Sequence, residues 1–140
     1  MSDVPTPDNR ASGTAAAGPC GSGATAGHRI DIVPNRRRVR VIHLGVTVAD
    51  THAALTVAET GLPEVFYFPR NDVNMARLER SNHTSHCPHK GDASYFHLRT
   101  ESGRVENAVW SYETPFEAVE RIKGYLAFYA SRVDRIDQTS

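Results

Sequence analysis

Between Asn82 and Gly91 the chain reads NHTSHCPHKG, which places His83, His86, Cys87, His89 and Lys90 in one short loop. Three kinds of chemistry use such side chains. Thiolate and imidazole together ligate zinc. Here, however, four ligands are crowded between His83 and His89, too close to wrap one tetrahedral ion. No second cysteine or histidine pair lies elsewhere to complete a set. No metal and no other cofactor is therefore expected. A cysteine beside a cation can instead act as a nucleophile. Lys90 follows Cys87 by three positions and His83 precedes it by four, and a nearby positive charge favours the thiolate. Pro88 and Gly91 would fix the turn between them. The third possibility is a small buried cysteine that only packs. Spacing alone leaves the last two open, with packing ahead.

The elements that must hold this loop are mostly strands. Val39, Val41 and His43 alternate, as do Val46 and Val48, about Gly45, which predicts a hairpin. EVFYFPR (Glu64 to Arg70) is strongly β-prone and is stopped by Pro69. NDVNMARLER suggests a short helix with Asp72 as its N-cap. ASYFHLR from Ala93 alternates again, and Ser102-Gly103 marks a turn. In VENAVWSYE, strict alternation puts Glu106, Ala108, Trp110 and Tyr112 on one face and Val105, Asn107 and Val109 on the other. Thr114-Pro115-Phe116-Glu117 has the form of a capping box, and Phe116, Val119 and Ile122 share one face of the helix it predicts, which Gly124 ends. YLAFYASRV reads as the closing strand. The expected fold class is mainly β, or α+β: a compact antiparallel sheet or barrel-like domain with one or two short helices.

Bulk composition narrows the rest. The chain has 140 residues, 39% of them hydrophobic and 23% charged, as in a soluble single domain. Sixteen basic and sixteen acidic residues cancel, so no global field favours nucleic acid or an anionic membrane. Arg36, Arg37, Arg38 and Arg40 read as a solvated strand flank. Two cysteines, Cys20 and Cys87, make no disulfide framework and suit a reducing cytoplasm. Asp3 stands early in an N-terminus without an apolar core, so no signal peptide is expected, and no apolar run is long enough to span a bilayer. Residues 1–34 are rich in Gly, Ala, Ser, Thr and Pro and are expected to be a disordered tail in which Cys20 is idle. GPCGSGATAG within it lacks the Gly-Lys-Ser/Thr ending of a phosphate loop. The domain is expected over 35–136, with 137–140 a C-terminal tail.

Three stretches in order, ETGLPEVFYFPRNDV, HTSHCPHKGDASYF and ENAVWSYETP, followed by GYLAFY, resemble a bacterial and fungal family known as domain of unknown function 427. The likeness runs from about Arg38 to Asp134. It implies a compact, mainly β fold. It picks out His83, Thr84, Cys87, Pro88, Lys90 and Gly91, leaving His86 and His89 at open positions, and also Glu59, Thr60, Tyr67, Pro69, Asp72, Asn107, Trp110 and Tyr112. The family is sometimes labelled a nucleotidyltransferase, but no Gly-Ser turn with paired carboxylates for magnesium follows from this sequence.

These readings converge on a small-molecule site with no nucleic-acid or membrane partner. Cys87, Lys90 and His83 are the candidate catalytic residues: nucleophile, electrostatic partner and proton carrier. Tyr67, Arg70, Asp72, Glu106, Asn107, Trp110 and Tyr112 are the candidate ligand-binding residues, with Tyr95 a further aromatic of the same pocket. An enzyme of unknown reaction, possible as thiol-based group transfer, leads. A non-catalytic module that holds an anion on Lys90 and Arg70 is the alternative, and nucleotidyl transfer comes third.

Overall fold

The computed structural model describes residues 28–139. The expectations for residues 1–27, including Cys20 and the glycine-rich run around it, lie outside the described residues. Ten strands follow in order: β1 (Ile30–Asn35), β2 (Arg38–His43), β3 (Val46–Thr51), β4 (Ala54–Glu59), β5 (Val65–Tyr67), β6 (Leu78–Cys87), β7 (Gly91–Thr100), β8 (Gly103–Ser111), β9 (Leu126–Phe128) and β10 (Arg135–Thr139). They form three antiparallel sheets: β1-β4-β5, β10-β2-β3 and β6-β7-β8-β9. None closes into a barrel. The mainly β expectation is met. Strands also reach past the expected limits at both ends, since β1 begins at Ile30 and β10 continues to Thr139.

The four-stranded sheet is the centre of the molecule because alternate residues on its strands feed two different cores. Phe96 and Leu98 of β7, Val109 of β8 and Leu126 and Phe128 of β9 pack with Val39 and Val41 of β2 and Val48 of β3. Their neighbours Ala93, Tyr95, Trp110, Tyr112 and Ala127 turn the other way and pack with Leu55 and Val57 of β4 and Tyr67 of β5. Phe68 and Leu126 exchange backbone hydrogen bonds of 2.7 and 2.9 Å. That bridge carries the β1-β4-β5 sheet directly from β9, so it folds over the second face.

The helical elements are all short 3₁₀ turns, and two expectations need correcting. Asp72 does not cap a helix. It ends one 3₁₀ turn, Arg70–Asp72, while Asn74 caps the next, Met75–Arg77, by accepting from the Ala76 amide. The segment after Thr114 is a kinked 3₁₀ run, Glu117–Ile122, with no side-chain cap. Its buried residues Val119 and Ile122 are three apart, which suits a helix of three residues per turn as well as an α-helix. Only a six-residue stretch separates Phe116 from Lys123, too short for an α-helix to gain much from its own hydrogen bonds.

Candidate functional site

The β6–β7 turn sets up the site. The Lys90 amide donates to the Cys87 carbonyl at 3.3 Å, and the Lys90 carbonyl accepts from the Phe116 amide at 2.9 Å. Gly91 follows at φ +112°, where a side chain is strained, and backbone atoms of Thr114, Pro115 and Phe116 lie 3.5 to 3.6 Å from where its Cβ would be. This geometry turns Lys90 inward although the strand before it is largely exposed. Lys90 is 1% exposed, and its Nζ donates to Glu59 Oε1 in a short contact. The ammonium also lies 6.0 Å from the centre of the Tyr112 ring.

Glu59 is at the end of β4. Leu55 and Val57 precede it at alternate positions on the core side, and the same parity carries its carboxylate inward to 7% exposure. Its second oxygen lies 3.1 Å from His28 Nε2. His28 stacks on His89, with centroids 4.0 Å apart. Thus a cation and an anion meet at the edge of a packed aromatic cluster.

That cluster, called the chamber below, is made of tyrosines and one tryptophan, with Tyr67, Trp110 and Tyr112 fully buried. The Trp110 indole N–H donates to the Tyr67 hydroxyl at 3.1 Å, with the two rings edge to face. Tyr129 lies 4.7 Å from Trp110, and its hydroxyl hydrogen-bonds with that of Tyr95, which also meets Ser85 Oγ at 3.0 Å. Burial pushes the Tyr67, Tyr95, Tyr112 and Tyr129 phenols above their ordinary range, so all four stay protonated at neutral pH. As neutral phenols they keep an O–H to donate and do not serve as bases.

Of the residues singled out from sequence, Cys87, Lys90, Tyr67, Trp110 and Tyr112 are brought together here. Cys87 shares the apolar cluster of Tyr67, Trp110 and Tyr112. It is 1% exposed and disulfide-bonded, and its Sγ accepts from the His89 amide at 3.4 Å. A disulfide sulfur is not a thiolate, so the nucleophile reading applies only to the reduced form. A disulfide at Cys87 departs from the expectation of cysteines suited to a reducing cytoplasm. His83 lies on exposed β6 and touches the chamber only by packing on Tyr95, 4.5 Å between centroids, where desolvation lowers its pKa. His86 pairs with Asp92 at 2.7 Å. The loop histidines therefore take separate partners, and among the described residues no three His, Cys, Asp or Glu side chains gather as a metal-binding group.

Four other candidates go elsewhere. Arg70 donates to Glu113 and to the Gly124 carbonyl, both at 3.1 Å. Asp72 accepts from the Thr51 hydroxyl at 2.7 Å. Glu106 does not join Trp110 in the buried cluster. The register shifts between Phe96 and Leu98 on the partner strand, and Asn107 sits at φ +51°. Two positions on β7 face four on β8 here, an even insertion, so Val105 and Val109 still face the same core, while the Glu106 side chain is 66% exposed beside Arg104. Asn107 stays at that irregularity, its amide donating to His97 Nδ1 at 3.1 Å.

Tyr129, His28 and the pairing of Glu59 with Lys90 were not read from the sequence. For Glu59 a signal exists, since it continues the Leu55–Val57 alternation. Tyr129 ends the GYLAFY stretch, which marks the resemblance but gives that residue no role, and His28 has no local motif. A family model described as a domain of unknown function (DUF427), with a short label for nucleotidyl transfer, matches residues 31–139. No curated protein matches the chain.

Proposed function

Because the chain belongs to the domain of unknown function 427 family, whose description names no reaction, we propose from the site alone that it is a small-molecule-handling enzyme acting through Lys90. One observation carries this reading. Among the described residues, Lys90 and Glu59 are the only charged side chains in the buried class, and they are paired with each other. A buried ion pair is a poor way to stabilise a fold, because desolvation offsets most of its attraction. Buried titratable groups gathered with polar partners are instead common where protons are moved. Lys90 would carry the proton or polarise the ligand, with Glu59 as its partner. Trp110 and the tyrosines would hold a flat or small organic molecule by their faces and hydroxyls.

Thiol-based group transfer at Cys87 is a variant that requires the disulfide to be reduced. A cytoplasmic location would make that disulfide transient. Among the described residues no helix is long and apolar enough to cross a membrane. The non-catalytic module that holds an anion on Lys90 and Arg70 is served less well, since Lys90 already pairs with Glu59 and Arg70 with Glu113. Nucleotidyl transfer is served least, since it needs carboxylates converging on magnesium.

The test compares wild type with Lys90→Met/Glu59→Leu, which removes both charges together. Both proteins are screened against a library of small metabolites by thermal shift, and each hit is incubated with the protein and followed by mass spectrometry. The enzyme reading expects a compound that raises the wild-type Tm, fails to raise that of the variant, and is converted only by wild type. Binding without conversion supports the module. Compounds that act equally on both proteins would remove Lys90 from the function.

A further inference from the structure

At the far end of β7 from Lys90, a cavity of about 370 Å³ opens between the β2–β3 hairpin and the β7–β8 turn. Its walls are Val46, Val48 and Leu98, with Leu44 at the rim. Arg77, Arg99 and Glu101 also line it. The volume is that of a small-ligand pocket.

Two independent features suggest an occupant. The first is Leu44. It is 57% exposed and held at φ +51°, followed by Gly45 at φ +76°. Two consecutive positive φ values make a hairpin turn that favours Asn-Gly. A leucine there is both strained and wet, and a local rule broken twice by one residue points to a use for it. The second is charge. Arg77 is half-buried, yet among the described residues neither its guanidinium nor that of Arg99 makes an ion pair. Glu101 is the one carboxylate of the lining, so the lining is net cationic without counting His43. His43, also in the lining, has its Nδ1 buried without a hydrogen bond, 3.5 Å from Asp134.

We propose that this cavity binds a small amphipathic organic anion. Its apolar body lies on Val46, Val48, Leu98 and Leu44, and its anionic group is held by Arg77 and Arg99. The site is separate from the Lys90 chamber and does not depend on the reading given to it.

Octanoate is the probe, with octanol and acetate as its neutral and its tailless counterparts. Binding is followed by amide chemical shifts in NMR titrations of the full chain. Octanoate is expected to shift Leu44, Gly45, Thr100 and Ser102 saturably, while octanol and acetate bind at least tenfold more weakly. Arg77→Gln and the more exposed Arg99→Gln should each weaken octanoate at least tenfold. Leu44→Gly should weaken it too, while relieving the strained turn and so not lowering Tm. No saturable shift, equal binding of octanol, full binding by both arginine variants, or shifts confined to Lys90 and Tyr112 would each overturn the proposal.

Discussion

Lys90 and Glu59 share one buried contact, and the way each depends on the other can be measured. Removing one partner leaves the other charged and buried, which costs roughly 3–5 kcal/mol, whereas removing both can be close to neutral. Lys90→Met and Glu59→Leu are each expected to destabilise the domain by about 3 kcal/mol or more in urea unfolding. The double variant should lose clearly less than the sum of the two. Additive losses would mean that the contact contributes little. The buried phenols make a second prediction at this scale. The phenol pKa values of Tyr67, Tyr95, Tyr112 and Tyr129 are raised in the fold, so their contribution to stability is complete below the ordinary phenol value of 10.0 and is lost as pH rises above it. Most tyrosinate absorbance should therefore appear together with unfolding and not before it. A large signal from the folded state would show these rings to be accessible. Residue types and order were enough to bring Lys90, Tyr67, Trp110 and Tyr112 into one expectation. They could not show that Cys87 is disulfide-bonded, nor which carboxylate answers Lys90, because Glu59 is thirty-one positions away.

Strand β8 shows what alternation can and cannot tell at the level of an element. Period-two patterning found the β2–β3 hairpin, β7 and β8, since a half-buried strand must alternate. It did not reveal that the Glu106 side chain is exposed, because alternation names a face and not what covers it, and nothing in ENAVW marks Asn107 at φ +51°. The capping-box segment failed for a related reason: its apolar spacing of three fits two helix types, and the run is short. The irregularity can be tested directly. Asn107→Gly should be neutral or slightly stabilising, since glycine adopts positive φ without a Cβ clash. Asn107→Val should cost about 1–3 kcal/mol, because a β-branched residue resists that conformation. Equal effects in thermal unfolding would mean that β8 runs straight in solution. The valine variant is also expected to disturb Trp110 fluorescence, since Trp110 follows Asn107 by three residues on the same strand and is fully buried.

The three sheets are held together by pairings between distant parts of the chain, and β10 is the clearest case. It pairs along all five of its residues with β2, from Arg135 with Ile42 to Thr139 with Arg38. Composition gave 137–140 the look of a tail because a short polar edge strand carries no strong apolar signal. Ending the chain at Asp134 would leave β2 and β3 as a lone hairpin over the core residues Val39 and Val41. Such hairpins are marginal in water, so the loss should be several kcal/mol, a large part of the stability of a domain. Circular dichroism on heating should show a broad, early transition; an unchanged Tm would make β10 an ornament of the fold. The same pairing bears on how the protein is made. A nascent chain that has released β2 must wait on the order of a hundred residues for its partner to leave the ribosome. At ordinary synthesis rates that is roughly 5–20 s. During that interval the outer edge of β2 is open to any other strand, so cells making this protein quickly should need a chaperone to shield it.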